Sequence, residues 1–362
     1  MITALAIENY RSLRHLVVPL SGLTVVTGPN GSGKSSVYRA LRLLAEASRN
    51  GAIAALAREG GMPSTLWAGP ETISAAMRTG DAAVQGTRRR GPVGLRLGFA
   101  SDDTSYSIEL GLPVTAMTTM FALDPEIKVE AAWTGPTLRP GTLQVQRNGP
   151  SVRLRDAAGE WTRHDHQLRP YDSMLSEFSD PRNAPELLAL REQIRSWRFY
   201  DHFRTDAAAP ARLPQLGTRT PVLSADGADL AAALQTVREL GHRDLAAAID
   251  TAFPGSSLEI DDREGWFSLA LRQPGMLRPL AAAELSDGTL RYLLWVAALL
   301  SPRPPALLVL NEPETSLHPD LIAPLAELIV AAARESQVIV VSHSRHLIEA
   351  LGDASSHIAL EK

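Results

Sequence analysis

The stretch that most constrains this chain is Gly28-Pro-Asn-Gly-Ser-Gly-Lys-Ser-Ser36, and its flanks matter as much as its letters. A short apolar strand, Leu23 to Thr27, runs into it, and a helical pattern from Val37 through Ala47 follows, stopping at Asn50-Gly51. Gly28 to Ser35 fits G-x-x-x-x-G-K-[ST], with strand, loop and helix in the order that the chemistry requires. The backbone N–H groups of such a loop and the positive end of its helix cradle phosphates. Lys34 is then placed to reach the β- and γ-phosphates of a nucleotide, and Ser35 to ligate Mg²⁺. Lys34 is also conspicuous by composition, because the other lysines are only Lys128 and Lys362, against 33 arginines.

A second motif is Leu307-Leu-Val-Leu310-Asn311-Glu312-Pro313. Four apolar residues followed by polar ones describe a buried strand whose carboxyl end meets a ligand, as in open α/β sheets. Glu312 is predicted to polarise an attacking water as general base. The acid usually found before it, which helps to hold Mg²⁺, is here Asn311. An asparagine still accepts from a metal-bound water but adds no charge, so slow turnover is expected.

Two further motifs need each other. Leu285-Ser286-Asp287-Gly288-Thr289 precedes an apolar helix, Gly288 to Leu300, and Ser342-His343-Ser344 follows an apolar strand, Val338 to Val341. Ser286, Asp287 and Gly288 at a helix N-terminus make a second anion site. One helix of a small domain does not reach its own phosphate loop, so this site is expected to serve the γ-phosphate held by a neighbouring subunit. His343 is placed to donate to the same phosphate.

Taken in order, NYRSL, GPNGSGKSS, ELSDGTLRYL, LLVLNEPETSLHP and VSHS resemble an ABC-type ATPase head of the RecF/SMC branch. The likeness is to short stand-alone RecF-like ATPases of the AAA-15/AAA-21 kind, and is most specific over residues 1 to 50 and 280 to 350. It implies a Walker A motif at Gly28 to Ser35, contributing Asn30, Gly31, Gly33, Lys34 and Ser35, with Ser36 adjoining. It also implies a signature at Leu285 to Thr289, Walker B at Leu307 to Glu312, a D-loop at Ser316 to Pro319 and a switch histidine at His343. Arg11 of NYRS would sit near the nucleotide. The sequence departs from the pattern in reading SDGT for SGGQ and Asn311 for an acid. No glutamine, among Gln85, Gln193 and Gln215, stands in a persuasive Q-loop context.

The predicted fold is α/β. A P-loop ABC-ATPase-like nucleotide-binding lobe is assembled from both chain ends, residues 1–50 and 276–362, with residues 51–275 inserted as a mixed α+β lobe. Helices at Leu321 to Ala333 and strands at Leu307 to Leu310 and Val338 to Val341 argue for a mostly parallel sheet. Sustained heptads are missing, which predicts no long coiled coil. Within the insertion, strands are expected at Val93 to Phe99, Tyr106 to Leu110 and Leu143 to Gln146. Helices are expected at Ala184 to Trp197, Asp229 to Leu240 and Asp244 to Phe253, and an extended surface connection at Ala209 to Pro221.

The resemblance implies ATP and Mg²⁺ as cofactors, a homodimer closed through ATP, and work on DNA in repair or antiviral defence. Asn311, and the lack of a nuclease-type extension after Lys362, lead to a second expectation: a slow ATP-switched sensor with a separate nuclease or toxin effector. A transporter ATPase subunit fits less well, because 252 residues separate Lys34 from Ser286. A formal charge of −4 gives no global pull toward nucleic acid, so any such face must be local. Arg88-Arg-Arg90 and the run Arg139, Arg147, Arg153, Arg155, Arg163 and Arg169 are the candidates. His164-Asp165-His166, and His343 with His346, have spacings that suit a metal only weakly. Trp161, Trp197 and Trp266 read as core or packing residues. No apolar run reaches the roughly 18 residues that span a bilayer, and there is no cysteine, so the chain is expected to work in the cytoplasm without a membrane partner.

Overall fold

The computed structural model describes residues 1–49, 51–70, 75–82, 93–113, 120–156, 158–164, 167–177, 184–240 and 245–361. Arg88 to Arg90, Gln85, Asp165 and His166 fall outside the described residues. Two compact units emerge: Met1–Ser21, Gly28–Ser196 and Leu360–Lys362 form one, and Gly22–Thr27 with Trp197–Ala359 the other.

The first unit is built on an antiparallel sheet in the order β2-β1-β4-β5-β6-β7-β8-β9. Its strands are β1 (Ile2–Tyr10), β2 (Leu13–Pro19), β4 (Leu95–Ser101), β5 (Thr104–Gly111), β6 (Glu126–Thr134), β7 (Leu143–Asn148), β8 (Ser151–Arg155) and β9 (Trp161–Arg163). Helices α1 (Lys34–Ala47), α2 (Ala52–Arg58), α3 (Gly61–Thr65), α4 (Ala75–Thr79), α5 (Met174–Glu177) and α6 (Pro185–Ser196) complete it. On α1 the residues Val37, Tyr38, Ala40, Leu41, Leu44 and Ala45 recur at helical spacing and are all buried. Inside this sheet Glu130 and Arg147 face each other at 2.9 Å and are fully buried. Arg147 therefore does not belong to the charged face that the sequence suggested. Its guanidinium is drawn inward by Glu130 and by the carbonyls of Gly149, Arg169 and Asp172.

The second unit holds an all-parallel sheet in the order β10-β15-β16-β3-β17. Its strands are β10 (Arg198–Tyr200), β15 (Leu307–Asn311), β16 (Gln337–Val341), β3 (Leu23–Thr27) and β17 (Ser356–Ala359). The continuous apolar runs of β15 and β16 are what a sheet covered on both faces demands. A smaller antiparallel sheet contains β11 (Gln215–Leu216), β12 (Ser257–Arg263), β13 (Trp266–Arg272) and β14 (Leu280–Ala281). Helices α7 (Leu230–Leu240), α8 (Leu245–Ala252), α9 (Asp287–Leu299), α10 (Ile322–Ala332) and α11 (Arg345–Leu351) surround these strands. Leu290 through Leu299 are buried without a break, so α9 is a central helix, with Arg291 the one charged residue in that run. Its core neighbours include Leu23, Val25, Tyr200, Phe203, Leu308, Leu310 and Leu325.

The segment Ala209 to Pro221 is not the extended surface connection expected of it. Pro210–Arg212 is a 3₁₀ turn, and Ala209, Ala211 and Arg212 are buried. Trp197 is buried as expected, but Trp266 is about half exposed on β13. No helix among the described residues is long and apolar enough to cross a membrane.

Candidate nucleotide site

In the first unit the glycine loop has the backbone that its composition demands. Gly28, Gly31 and Gly33 have φ of 147°, 79° and 106°. A Cβ on Gly28 would stand 2.5 Å from the Leu360 carbonyl oxygen, and one on Gly33 would stand 2.5 Å from Leu13 Cδ2. Both positions thus exclude side chains by contact as well as by conformation. Helix α1 starts at Lys34 behind Gly33 with no side-chain cap, and the Ser36 and Val37 N–H groups bond to the Gly33 carbonyl, which leaves the anion-binding role to the N–H groups ahead of them. Lys34 arches back over the loop and donates to the carbonyls of Gly28 and Pro29. Asn30, Gly31 and Ser35 are exposed, whereas Ser36 is buried.

The turn between β1 and β2 lies against this helix start: Ser12 Oγ is 3.3 Å from Ser36 Oγ. Arg11, with φ of 53°, is held by Glu59 Oε2 through Nε at 3.0 Å and Nη2 at 2.7 Å. Tyr10 donates to the same oxygen at 2.7 Å, and burial pushes its phenol above the ordinary tyrosine range. The Arg11 guanidinium is therefore engaged by Glu59, and Ser12 is the residue of this turn that meets the helix start.

In the second unit the carboxyl edge of the parallel sheet gathers the remaining motifs. Register aligns Asn311 with Val341 and Val341 with Val26, so β15, β16 and β3 end at one level. Chain continuity then places the glycine loop's first residue immediately after Thr27. Glu312 has φ of 48° and its N–H is tied to the Val341 carbonyl at 2.7 Å. Its carboxylate lies 3.3 Å from His343 Nδ1, and both side chains are substantially exposed, at 41% and 59%. Behind them Glu314 is nearly buried, accepting from Ser342 Oγ at 2.6 Å, while Ser342 Oγ accepts from Ser344 N at 3.0 Å. Asn311 Nδ2 donates to Asp201 Oδ1 at 2.6 Å, and Asn311 Oδ1 is buried with no partner among the described residues. An unpartnered buried carbonyl costs about 1–3 kcal/mol.

That oxygen gives a test of fit for Mg²⁺, whose bound waters donate hydrogen bonds. Asn311 Oδ1, buried and without a partner among the described residues, is an acceptor of the kind such a water would use. No group of three or more acidic or histidine side chains able to hold a metal occurs among the described residues. An ion held chiefly by nucleotide phosphates needs none.

The signature is equally defined. Ser286 is the N-cap of α9, accepting from Thr289 N at 3.1 Å, and Ser286 and Asp287 are exposed. Gly288 abuts the D-loop: a Cβ there would stand 3.1 Å from the Ser316 carbonyl. Arg212 is a site residue that no local motif announces. It donates to Asp287 Oδ1 at 2.7 Å and to the carbonyls of Ala282, Leu285 and Thr205. Arg291 similarly joins α9 to Thr315 O at 2.7 Å and Phe203 O at 3.1 Å. Glu314 and Asp201 are further residues without a sequence signal of their own.

Non-glycine residues with positive φ, among those described, are Asn9, Arg11, Glu264, Glu312 and Ser316. All but Glu264 fall in NYRS or NEPETS, and each such backbone costs on the order of 1–3 kcal/mol. Strain thus collects where the motifs are. Among the Q-loop candidates, Gln215 donates to Pro210 O and Gln193 lies on α6 in the other unit.

Fold and motifs together define a P-loop head of the ABC type. The sequence matches the family described as "AAA domain, putative AbiEii toxin, Type IV TA system" over residues 23–349, and the chain belongs to that family. Similar folds are an SMC head bound to the C-winged helix domain of ScpA and an SMC head with an extended coiled coil from Pyrococcus furiosus, bound to the C-terminal domain of ScpA. The first is 14% identical, with a TM-score of 0.51 and coverage of 96% of this chain and 92% of that one. The second is 12% identical, with a TM-score of 0.50 and coverage of 96% and 91%. At these identities the likeness is one of fold. The OLD nuclease of Thermus scotoductus is 41% identical over 44 residues, a stretch covering 12% of this chain and 8% of that nuclease.

Proposed function

We propose that the chain binds ATP with Mg²⁺ and that two copies close around two nucleotides, each offering Ser286, Asp287 and Gly288 to the other's γ-phosphate. In this reading residues 1–50 and 276–362 act as one nucleotide-binding lobe. Glu312 takes a proton from the attacking water, His343 donates to the γ-phosphate, Lys34 neutralises charge on the β- and γ-phosphates, and Arg11 approaches the nucleotide. Mg²⁺ would be held by Ser35 and, through water, by Asn311, and would supply positive charge against the charge that develops on the phosphates. The observation that carries the reading is that β15, β16 and β3 end at one level, with Asn311, Glu312 and His343 at the ends of the first two and the glycine loop next in sequence after the third.

The cycle is coupled to DNA-related work in repair or antiviral defence. A local face that suits nucleic acid is the β8–β9 edge, where Arg153 and Arg155 lie 5.3 and 5.4 Å from the partly buried Trp161 ring. The alternative, a slow ATP-switched sensor that controls a separate nuclease or toxin effector, draws support from the neutral Asn311 and from the family's toxin description.

Light scattering of Glu312→Gln with and without Mg-ATP tests the dimer. A doubling of mass that Ser286→Arg abolishes supports it, and an ATP-bound chain whose mass never changes overturns it.

A further inference from the structure

The charge missing from Asn311 is present nearby, contributed by another strand. β10 pairs in parallel with β15, with Tyr200 opposite Leu310, so the next residues, Asp201 and Asn311, leave the sheet edge side by side. Asn311 Nδ2 donates to Asp201 Oδ1 at 2.6 Å. This bond fixes the amide, since the flipped orientation would set a carbonyl oxygen against a carboxylate oxygen. The Asn311 carbonyl then points away from Asp201, and it is the buried oxygen that has no partner among the described residues. Asp201 is exposed at its tip but its segment is pinned: Arg291 binds Phe203 O and Thr205 Oγ1, and Arg212 binds Thr205 O.

We propose that Asp201 is a positioning residue for the magnesium site: it orients Asn311 so that its carbonyl receives a metal-bound water, and it restores beside that amide the negative charge that an acid at position 311 would have supplied. The inference rests on the Mg-ATP reading above. A charge-assisted hydrogen bond to the amide N–H polarises the carbonyl and makes it a better acceptor. The Asp201–Asn311 pair thus divides between two strands the work that one carboxylate does alone. Groups that orient metal ligands from behind are worth about 10–100-fold in metal affinity.

The test is Mn²⁺ binding, followed by electron paramagnetic resonance, to the protein loaded with a non-hydrolysable ATP analogue, alongside analogue binding in EDTA. Asp201→Asn and Asp201→Ser are expected to keep the EDTA affinity and lose at least about tenfold in Mn²⁺ affinity. The exchanged pair, Asp201→Asn with Asn311→Asp, keeps the hydrogen bond with donor and acceptor reversed, and is expected to regain Mn²⁺ affinity. Unchanged Mn²⁺ affinity in both single variants, with the parent binding normally, overturns the role of Asp201 alone. A parent that binds no analogue overturns the nucleotide reading and this inference with it. Failure of the exchanged pair to regain affinity, although it folds, also overturns the role.

Discussion

Glu130 and Glu312 are glutamates beside a nitrogen base, one in each compact unit, and they are held in opposite ways. Around Glu130 every oxygen is used: Oε1 accepts from Tyr106 and Ser173, and Oε2 from Arg147 and the Met174 N–H. The Tyr106 phenol is pushed far above its ordinary range, by burial first and then by the adjoining carboxylate. Glu312 sits on a left-handed backbone, about two-fifths exposed, with His343 at 3.3 Å. Its neighbours Asn311 and Glu314 each keep a buried oxygen without a partner among the described residues. A polar cluster that only holds a fold together closes on itself, whereas one that acts on a ligand keeps acceptors in reserve.

The contrast breaks first at Arg147. Arg147→Met leaves Glu130 buried and unpaired, and is expected to cost about 3–5 kcal/mol in urea unfolding. Glu312→Gln should behave in reverse, reducing single-turnover ATP hydrolysis by about 10²–10³-fold while the unfolding midpoint stays put. An unfolding loss in this variant comparable to that of Arg147→Met would erase the distinction. Arg212→Met lies between the two, because it empties a buried hub that also shapes the signature. A loss of about 2 kcal/mol, with a weakened ATP-dependent mass shift, is the expected pair of outcomes. Ser286→Ala removes a helix cap and is expected to cost about 1 kcal/mol by thermal melting.

The smallest effect concerns pH. Arg278, with the Ala281 N–H, holds the exposed Glu284 carboxyl down at about 2. Because the folded value lies below the unfolded one, this contribution is present above the ordinary glutamate range and fades as pH falls toward 2. The difference in urea midpoint between the parent and Arg278→Met should therefore shrink on acidification.

How much of this was legible in the sequence depended on whether the signal was local. Leu23–Thr27 and Leu307–Asn311 announce themselves as unbroken apolar runs, and the glycine loop as a backbone requirement. Strands β6 and β12 went unread because neither alternates cleanly between buried and exposed residues, and β-bulges shift the register of β6. Arg147 resembled its neighbours Arg153 and Arg155 in sequence, and only the opposing Glu130 separates a core arginine from a surface one. Asp201 could not be paired with Asn311 from spacing, since they are 110 positions apart. Arg212 was hidden in a proline-rich stretch that composition alone marks as a connector.

Strand β3 lies between β16 and β17, hydrogen-bonded on both sides to segments more than 300 positions later in the chain. On a ribosome, Leu23–Thr27 therefore waits for its partners until more than 300 further residues have been made. The glycine loop that follows it cannot acquire its anchored form on a nascent chain. During that wait an exposed apolar strand is a natural client for a holding chaperone.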